Sequence, residues 1–440
     1  MAIVSKSVRL ALAGIGGYGE AYLEAMLPRL AALGAKLVGA VDPAPQRCRR
    51  LRELLDGGIP LYSTMNELFD AARLPIDLML IVTPIHLHAE HTRLALQQGC
   101  NVLCEKPLAG TVVDALKMLE AESAARAVGG KQFTAIGYQW SFSQAIQSLK
   151  RDIMAGLLGK PVRLRTMVSL PRPMAYFRRN DWAGRIRTAD GHGVFDSPVN
   201  NAAAHFLHNM FYLLGPTRES SAMPAWVQAE LYRANAIENY DTAAIRCQTQ
   251  CGVEVLFYTT HAVEERRGPR CRFEFDNATV EFDALVAGQF TARFRDGRVK
   301  SYGHPNLDRH EKIWQAIDAV RNGGAVACGI QAALAHTLCV AAAQESALQI
   351  MDFPQRPRRN MPLDGDTLIY IDRLGEQMAD CYQRGILPAE HPEITWARAG
   401  TRVEVDPTAS QPRPARSPVS VNVFSPYSST RDANPAFPPA

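Results

Sequence analysis

Val8-Arg9-Leu10-Ala11-Leu12-Ala13-Gly14-Ile15-Gly16-Gly17-Tyr18-Gly19 is the stretch on which the reading of the fold turns. A mostly apolar run suited to a buried strand ends at Ala13, and Gly14, Gly16 and Gly19 follow in the spacing G-x-G-x-x-G. In that spacing the first glycine permits a tight turn and the second lets backbone approach a pyrophosphate. The third lets a helix pack against the strand. A helical pattern from Tyr18 to Leu33 completes the strand–turn–helix context, and its N-terminus offers unpaired N–H groups to phosphates. Gly14, Ile15, Gly16, Gly17, Tyr18 and Gly19 are therefore expected to hold a dinucleotide.

The next apolar run, Lys36 to Val41, ends at Asp42, about 23 residues beyond the last motif glycine. A carboxylate there accepts hydrogen bonds from both hydroxyls of an adenosine ribose and repels a 2′-phosphate, which favours NAD over NADP. Arg47, Arg49 and Arg50 just downstream are the competing feature, and Asp42 also reads as a helix cap before Pro43. Two further runs end at Thr83-Pro84 and at Cys104, the latter delivering Glu105 and Lys106. In an open parallel sheet, ligands bind outside the carboxyl ends of the strands, and all these features fall at such ends.

Composition narrows the class. The chain has 440 residues, 47% hydrophobic and 21% charged, which suits two or three globular domains. A net charge of +4 is too small to argue for nucleic acid, and no apolar stretch reaches the ~20 residues of a membrane span. The N-terminus carries neither a signal-peptide pattern nor a twin arginine. Nine cysteines without CxxC spacing argue against disulfides and zinc, so a reduced, cytoplasmic protein is expected. His86, His88 and His91 lack an acidic or thiol partner at ligand spacing, and no metal site is expected.

Strand-like runs alternate with helical patterns as far as Ile136, the signature of a parallel sheet covered by helices. After Gly137, period-2 alternation with Gly and Asn turns suggests a mostly antiparallel sheet. Long helical patterns return at Glu311 to Val320, Gln331 to Met351 and Asp366 to Arg384. The expected architecture is α/β: a Rossmann domain over 1–137 and an α+β domain with a largely antiparallel open sheet over 138–389. A Pro- and Ser-rich tail, 390–440, follows.

Thr83-Pro84, His88, the run Gly99 to Ala109 containing Glu105-Lys106-Pro107, and Gly137-Tyr138-Gln139 form a series that resembles the Gfo/Idh/MocA family of oxidoreductases. The resemblance runs to about Gln383, and its Glu-Lys-Pro element is specific. It implies a nicotinamide cofactor, a sugar, cyclitol or related polyol as substrate, and a catalytic lysine at Lys106. Thr83, Pro84, His88, Glu105 and Lys106 then join the cofactor-binding set, and Gln139 the substrate-binding set.

Ser197 followed by Pro198 reads as the start of a helix that runs to Leu214 and stops at Gly215-Pro216. At 100° per residue, Asn201, His205, His208 and Tyr212 share one stripe on an otherwise apolar helix, which suits a polar cavity. His205 is similar in position to the family's catalytic histidine. The family often carries aspartates where this chain has Asn201 and His208, so these two are expected as substrate contacts, and His205 as a weaker base unless Asp196 supplies charge. Trp182 is placed to stack on a sugar ring. Of the arginines at 163, 165, 172, 178, 179, 185 and 187, one is a candidate partner for a carboxylate or phosphate, most being solvated.

The reading is an NAD(P)-dependent dehydrogenase acting on CH–OH groups of a sugar-like molecule. The alternatives are a glycoside hydrolase of the same fold working through transient oxidation, and a cofactor-binding protein without net redox activity. An apolar face on an open sheet further predicts a homo-oligomer, dimer or tetramer.

Overall fold

The computed structural model describes residues 7–72, 75–286, 288–347 and 349–406. The apolar runs of the N-terminal part become β1 (Val8–Ala13), β2 (Ala35–Val41), β3 (Leu61–Tyr62), β4 (Leu78–Ile81), β5 (Asn101–Cys104) and β6 (Thr134–Ile136). They pair in parallel in the order β3-β2-β1-β4-β5-β6. β1 and β4 bury every residue, as strands covered by helices on both faces must. Arg9 is tolerated within β1 because Asp77 accepts from its Nε at 2.8 Å and its Nη2 at 2.7 Å. The strand order reverses between β1 and β4, opening the crevice in which such folds bind dinucleotides. The helix after β1 is α-helical only over Tyr18–Met26, shorter than its sequence pattern, and Pro28 removes a backbone donor just beyond it.

The second sheet comprises β7 (Pro161–Ser169), β8 (Pro224–Arg233), β9 (Thr242–Thr249), β10 (Glu254–Thr260), β11 (Arg267–Phe275), β12 (Ala278–Asp283), β13 (Phe290–Phe294), β14 (Val299–Gly303) and β15 (Met351–Asp352). Their order is β14-β13-β12-β11-β7-β10-β9-β8-β15. All pairs are antiparallel except β7 with β10 and β8 with β15.

The last of the expected helices is shortened. Residues 366–371 are not helical: β16 (Arg358–Leu363) and β17 (Asp366–Ile371) form a hairpin, and the helix begins only at Leu374. Asp364, Gly365 and Arg373 all have positive φ, which closes the hairpin turn and keeps helix from propagating upstream. Part of the open sheet's outer face is covered by its own chain. Met167, Leu256 and Tyr258 of the sheet pack with Leu374, Met378, Cys381 and Tyr382 of the Leu374–Arg384 helix. Toward β11 and β12 that face carries ion pairs instead, Arg165 with Glu274, Arg272 with Glu281 and Arg270 with Asp283. The apolar residues on that part of the face are therefore buried within the chain itself.

Of the tail expected over 390–440, the described part packs on the second sheet. Trp396 packs against Tyr232 and Phe353, and β18 (Val403–Glu404) adds to β8. Residues 407–440 lie outside the described residues.

The two sheets share one hydrophobic core. The Glu311–Asn322 helix, late in the chain, packs on β1, β4 and β5, so part of the range 138–389 covers the first sheet. Its Lys312 is completely buried and forms an ion pair with Glu105 at the end of β5. The same carboxylate oxygen accepts the Tyr22 hydroxyl at 2.6 Å. Removing one member of a buried pair strands the other charge. Lys312→Met is therefore expected to destabilise the fold by about 3–5 kcal/mol in denaturant unfolding. Adding Glu105→Gln to it should recover much of that loss, and strict additivity of the two substitutions would show the pair is not coupled.

Candidate active site

The glycine turn has the shape its residues dictate. Gly14 has φ 86°, and a Cβ there would lie 2.5 Å from the Val82 carbonyl oxygen. A Cβ on Gly19 would lie 2.0 Å from the Gly14 oxygen, so helix and turn touch backbone to backbone. Gly17 has nothing within 4 Å of where its Cβ would be, and Gly17 and Tyr18 are exposed. Asp42 closes the turn from the other side. Its Oδ2 accepts from the amides of Ile15 at 3.0 Å and Gly16 at 3.3 Å, and its Oδ1 accepts from Ala44 at 2.9 Å. A carboxylate has about four acceptor positions, so capacity for ribose hydroxyls remains. Of the downstream arginines, Arg49 pairs with Glu20 and Arg50 with Glu53. The tight floor, open lip and half-buried carboxylate fit a dinucleotide such as NAD.

Across the crevice stands Lys106. Its Nζ donates to the Asn201 backbone oxygen at 3.0 Å and to Asn201 Oδ1 at 2.9 Å. Asn201 Nδ2 in turn donates to Asp196 Oδ1 at 2.8 Å. Asp196 is buried, and its Oδ2 accepts the Gly184 amide at 2.7 Å, with an Arg179 nitrogen at 3.6 Å. Loss of hydration pushes the Lys106 pKa down to about 8, despite Glu105, with Lys312 pressing the same way. Burial also raises the Asp196 pKa, Arg179 opposing it.

The helix expected over 197–214 is two pieces. Ser197 caps a π-helical turn, Pro198–Ala202, by accepting the Asn200 amide, and the α-helix follows over Ala204–Leu213. The wider turn aims Asn201 at Lys106, and the predicted stripe divides. His205 is half-buried, its Nδ1 enclosed without a hydrogen-bond partner. Burial, followed by Lys106 and Lys312, holds its pKa well below the usual histidine value. His208 is completely buried. Its Nε2 meets Ser141 Oγ at 3.0 Å and its ring stacks on Tyr138 at 3.9 Å. The stripe is therefore not uniformly cavity-facing: Asn201 and His205 reach the crevice, and His208 lies one ring behind it.

Other expected residues divide in the same way. Thr83 and Pro84 are half-buried at the strand end, with Thr83 Oγ1 3.1 Å from His91 Nδ1. His88 is buried, with Nδ1 at 2.8 Å from the Pro107 oxygen and Nε2 at 3.0 Å from the Thr83 oxygen. It holds the two strand-end loops together and does not line the crevice itself. Glu105 is enclosed by Tyr22, Lys312 and the Lys106 amide, not solvated at a loop start. Gln139 donates to Asn306 at 3.0 Å. Trp182 lies beneath the Arg179 guanidinium, beside Asp196. Among the described residues no cluster of three or more His, Cys, Asp or Glu is arranged to hold a metal ion, and all nine cysteines are free thiols.

Two contributors escaped sequence reasoning. Lys312 shares the buried stripe of its helix with Ile313, Ala316 and Ile317, and a lysine in such a stripe was the available signal. His336 lies in the largely buried helix Ile330–Ser346. Its Nε2 is 3.0 Å from the Val199 carbonyl, which only accepts, so Nε2 carries the proton and Nδ1 accepts the Tyr138 hydroxyl at 3.0 Å. His336 thereby ties the π-turn to Tyr138.

With this geometry in view, comparison with known proteins is informative. The sequence model of the Gfo/Idh/MocA group, described as an oxidoreductase family with an NAD-binding Rossmann fold, matches residues 8–129. Inositol 2-dehydrogenase 4 of Saccharopolyspora erythraea is 29% identical over 158 residues, 36% of this chain and 44% of that protein. This match thus spans less than half of that relative's length. Inositol 2-dehydrogenase of Burkholderia cenocepacia is 24% identical over 358 residues, 80% of this chain and 98% of that protein. Among solved structures, the WlbA dehydrogenase from Bordetella pertussis in complex with NADH and UDP-GlcNAcA superposes with a TM-score of 0.61 at 20% identity. That superposition covers 78% of this chain and 97% of that one. Levoglucosan dehydrogenase in complex with NADH and levoglucosan gives 0.62 at 19%, covering 77% and 97%. At these identities the solved structures establish the fold. Over residues 8–129 the chain is similar to the Gfo/Idh/MocA oxidoreductases, and its six-stranded parallel sheet is the NAD-binding Rossmann fold of that description.

Proposed function

We propose that the chain is an NAD-dependent dehydrogenase that oxidises a carbinol of a sugar, cyclitol or related polyol. The observation that carries this reading is the pair of hydrogen bonds from Lys106 Nζ to the two oxygens of Asn201. An ammonium has three N–H groups, and both Asn201 oxygens can only accept. In the charged state one N–H is left for a substrate oxygen. In the neutral state two N–H groups still satisfy Asn201, and the lone pair takes the third tetrahedral position. Deprotonated Lys106 is thus oriented to accept the carbinol proton. When bound, the nicotinamide supplies the hydride acceptor. His205, kept neutral by burial and neighbouring cations, offers a ring nitrogen to a substrate hydroxyl without adding charge. Asn201 positions Lys106, and Asp196 positions Asn201. The relatives named as inositol 2-dehydrogenases, and the solved dehydrogenases with NADH and sugar ligands, support this substrate class.

The pH dependence follows from the need for neutral Lys106. The kcat/KM for oxidation should rise about tenfold per pH unit below about 8 and level off above it. Lys106→Ala should lower kcat by at least ~100-fold and leave NAD affinity nearly unchanged. Asn201→Asp places a carboxylate on Lys106 and beside Asp196, so the rising limb should move to higher pH and activity at neutral pH should fall. An unmoved profile in Asn201→Asp, with activity retained in Lys106→Ala, would remove Lys106 from the chemistry.

Cofactor choice is tested at Asp42. Asp42→Ala loosens the turn for either dinucleotide but removes ribose contacts only NAD makes, so titration should show NAD weakened more than NADP. Equal weakening would assign Asp42 to shaping the turn alone.

His336 is a positioning residue. His336→Phe deletes both its hydrogen bonds and should lower kcat roughly 10- to 100-fold, with NAD affinity preserved. His336→Gln retains a donor for the Val199 carbonyl and should recover part of that loss. A fall in melting temperature with kcat intact would mark the residue as structural only.

A further inference from the structure

We infer that the molecule bound beside Lys106 carries an anionic group, a carboxylate or a phosphate, held by Arg172 and Arg179; this rests on the dehydrogenase reading for the rest of the substrate. The arginines between β7 and the helical turn sort by their partners. Arg163 pairs with Glu254, Arg165 with Glu274 and Arg178 with Asp366. These three are accounted for by the fold. The Arg172 amide donates to the His261 carbonyl at 3.2 Å, but its guanidinium has no hydrogen bond or ion pair among the described residues, and its Nε is enclosed without a partner. Its guanidinium lies over the Tyr176 ring, 4.6 Å from the centroid. Arg179 lies over the same ring at 3.9 Å and donates to the Tyr176 carbonyl at 2.6 Å. Its one carboxylate neighbour, Asp196, stands 3.6 Å away, beyond hydrogen-bond distance, and is already engaged by Gly184 and Asn201.

The surroundings do not supply the missing negative charge. His261 lies edge-on to Tyr176 at 5.5 Å, with Nδ1 2.8 Å from the Leu170 carbonyl. Glu105 is committed to Lys312 and Tyr22. The strip from Arg172 through Arg179 to Lys106 therefore holds three cationic side chains and the single carboxylate of Asp196. A guanidinium stacked on an aromatic ring presents its N–H groups at the edge, where a planar carboxylate or a phosphate is recognised, and Arg179 commits only Nη1 to a hydrogen bond, with the Tyr176 carbonyl. The chain Arg179–Asp196–Asn201–Lys106 links the Arg179 guanidinium to Lys106 through three successive contacts. An anionic end on Arg172 and Arg179 would leave the carbinol to Lys106 and His205.

The experiment is a calorimetric titration of the NADH-saturated protein with three matched sets. These are D-glucuronate and D-galacturonate against D-glucose and D-galactose, D-gluconate against D-glucitol, and glucose 6-phosphate against glucose. At least one acid should bind 10- to 100-fold more tightly than its neutral counterpart, the scale of a hydrogen bond to a charged group. Arg172→Gln and Arg179→Gln should each remove about tenfold of that preference while NADH affinity and melting temperature hold. If either variant fails to fold, the unmodified protein still decides, because high salt should erode acid binding and spare neutral binding. A preference for uronate or aldonate identifies a carboxylate subsite, and one for glucose 6-phosphate a phosphate subsite. No acid preference in any set, or a preference that survives both substitutions, overturns the inference. NADH formation with NAD in place of NADH separates the two proposals. Acid preference without turnover retires the dehydrogenase reading alone, and turnover of neutral sugars without acid preference retires only the anion subsite.

Discussion

The Glu105 carboxylate is the point on which the two halves of the molecule meet. It leaves the end of β5 and is buried, and it gathers the Tyr22 hydroxyl from the first helix, Lys312 from a helix two hundred residues later, and the Lys106 amide. Gly137, the residue that leaves the first sheet, lies so close that an added Cβ would sit 3.0 Å from Glu105. A charge removed from water in this way is stable only while every partner is in place. The same burial that makes the junction costly also fixes the direction in which the following residue, Lys106, leaves the strand.

From that junction the electrostatics of the crevice follow. Lys106 has lost hydration and faces Lys312 and Arg179, with only partial relief from Glu105 and Asp196. Its ammonium is accordingly easier to deprotonate, and His205 beside it is kept neutral. The chain thus uses burial and like charge, rather than a carboxylate on the histidine, to set its protonation states. Asp196 acts at one remove, through the Asn201 amide, and the π-turn of Pro198–Ala202 is what brings that amide to the lysine.

The second sheet shows how a chain can cover its own surface. Segments after Met351 lay a helix, a hairpin and Trp396 over one side of the outer face, and the β11–β12 side is laced with arginine–carboxylate pairs. Burial of Met167, Leu256 and Tyr258 beneath the Leu374–Arg384 helix accounts for their apolar character. Strand alternation alone shows that a face is covered, and is silent on whether the cover is another chain or the same one.

Local chemistry was legible wherever it depends on neighbours in sequence. The glycine spacing, the strand-end placement of Asp42, Thr83 and Lys106, and the change of texture after Gly137 all arise from backbone sterics and periodicity, and the Rossmann sheet follows from them. The crevice residues of the His205 segment were legible from helical spacing, but not their division. A π-turn differs from an α-turn by one residue of hydrogen-bond register, and that shift turns Asn201 toward Lys106 and leaves His208 behind Tyr138. Lys312, His336 and the covered sheet face were decided only by tertiary structure. Each depends on which distant segment supplies a counter-charge, a hydrogen-bond partner or an apolar surface, and residues as far apart as Glu105 and Lys312 carry no mark of one another until the chain has folded.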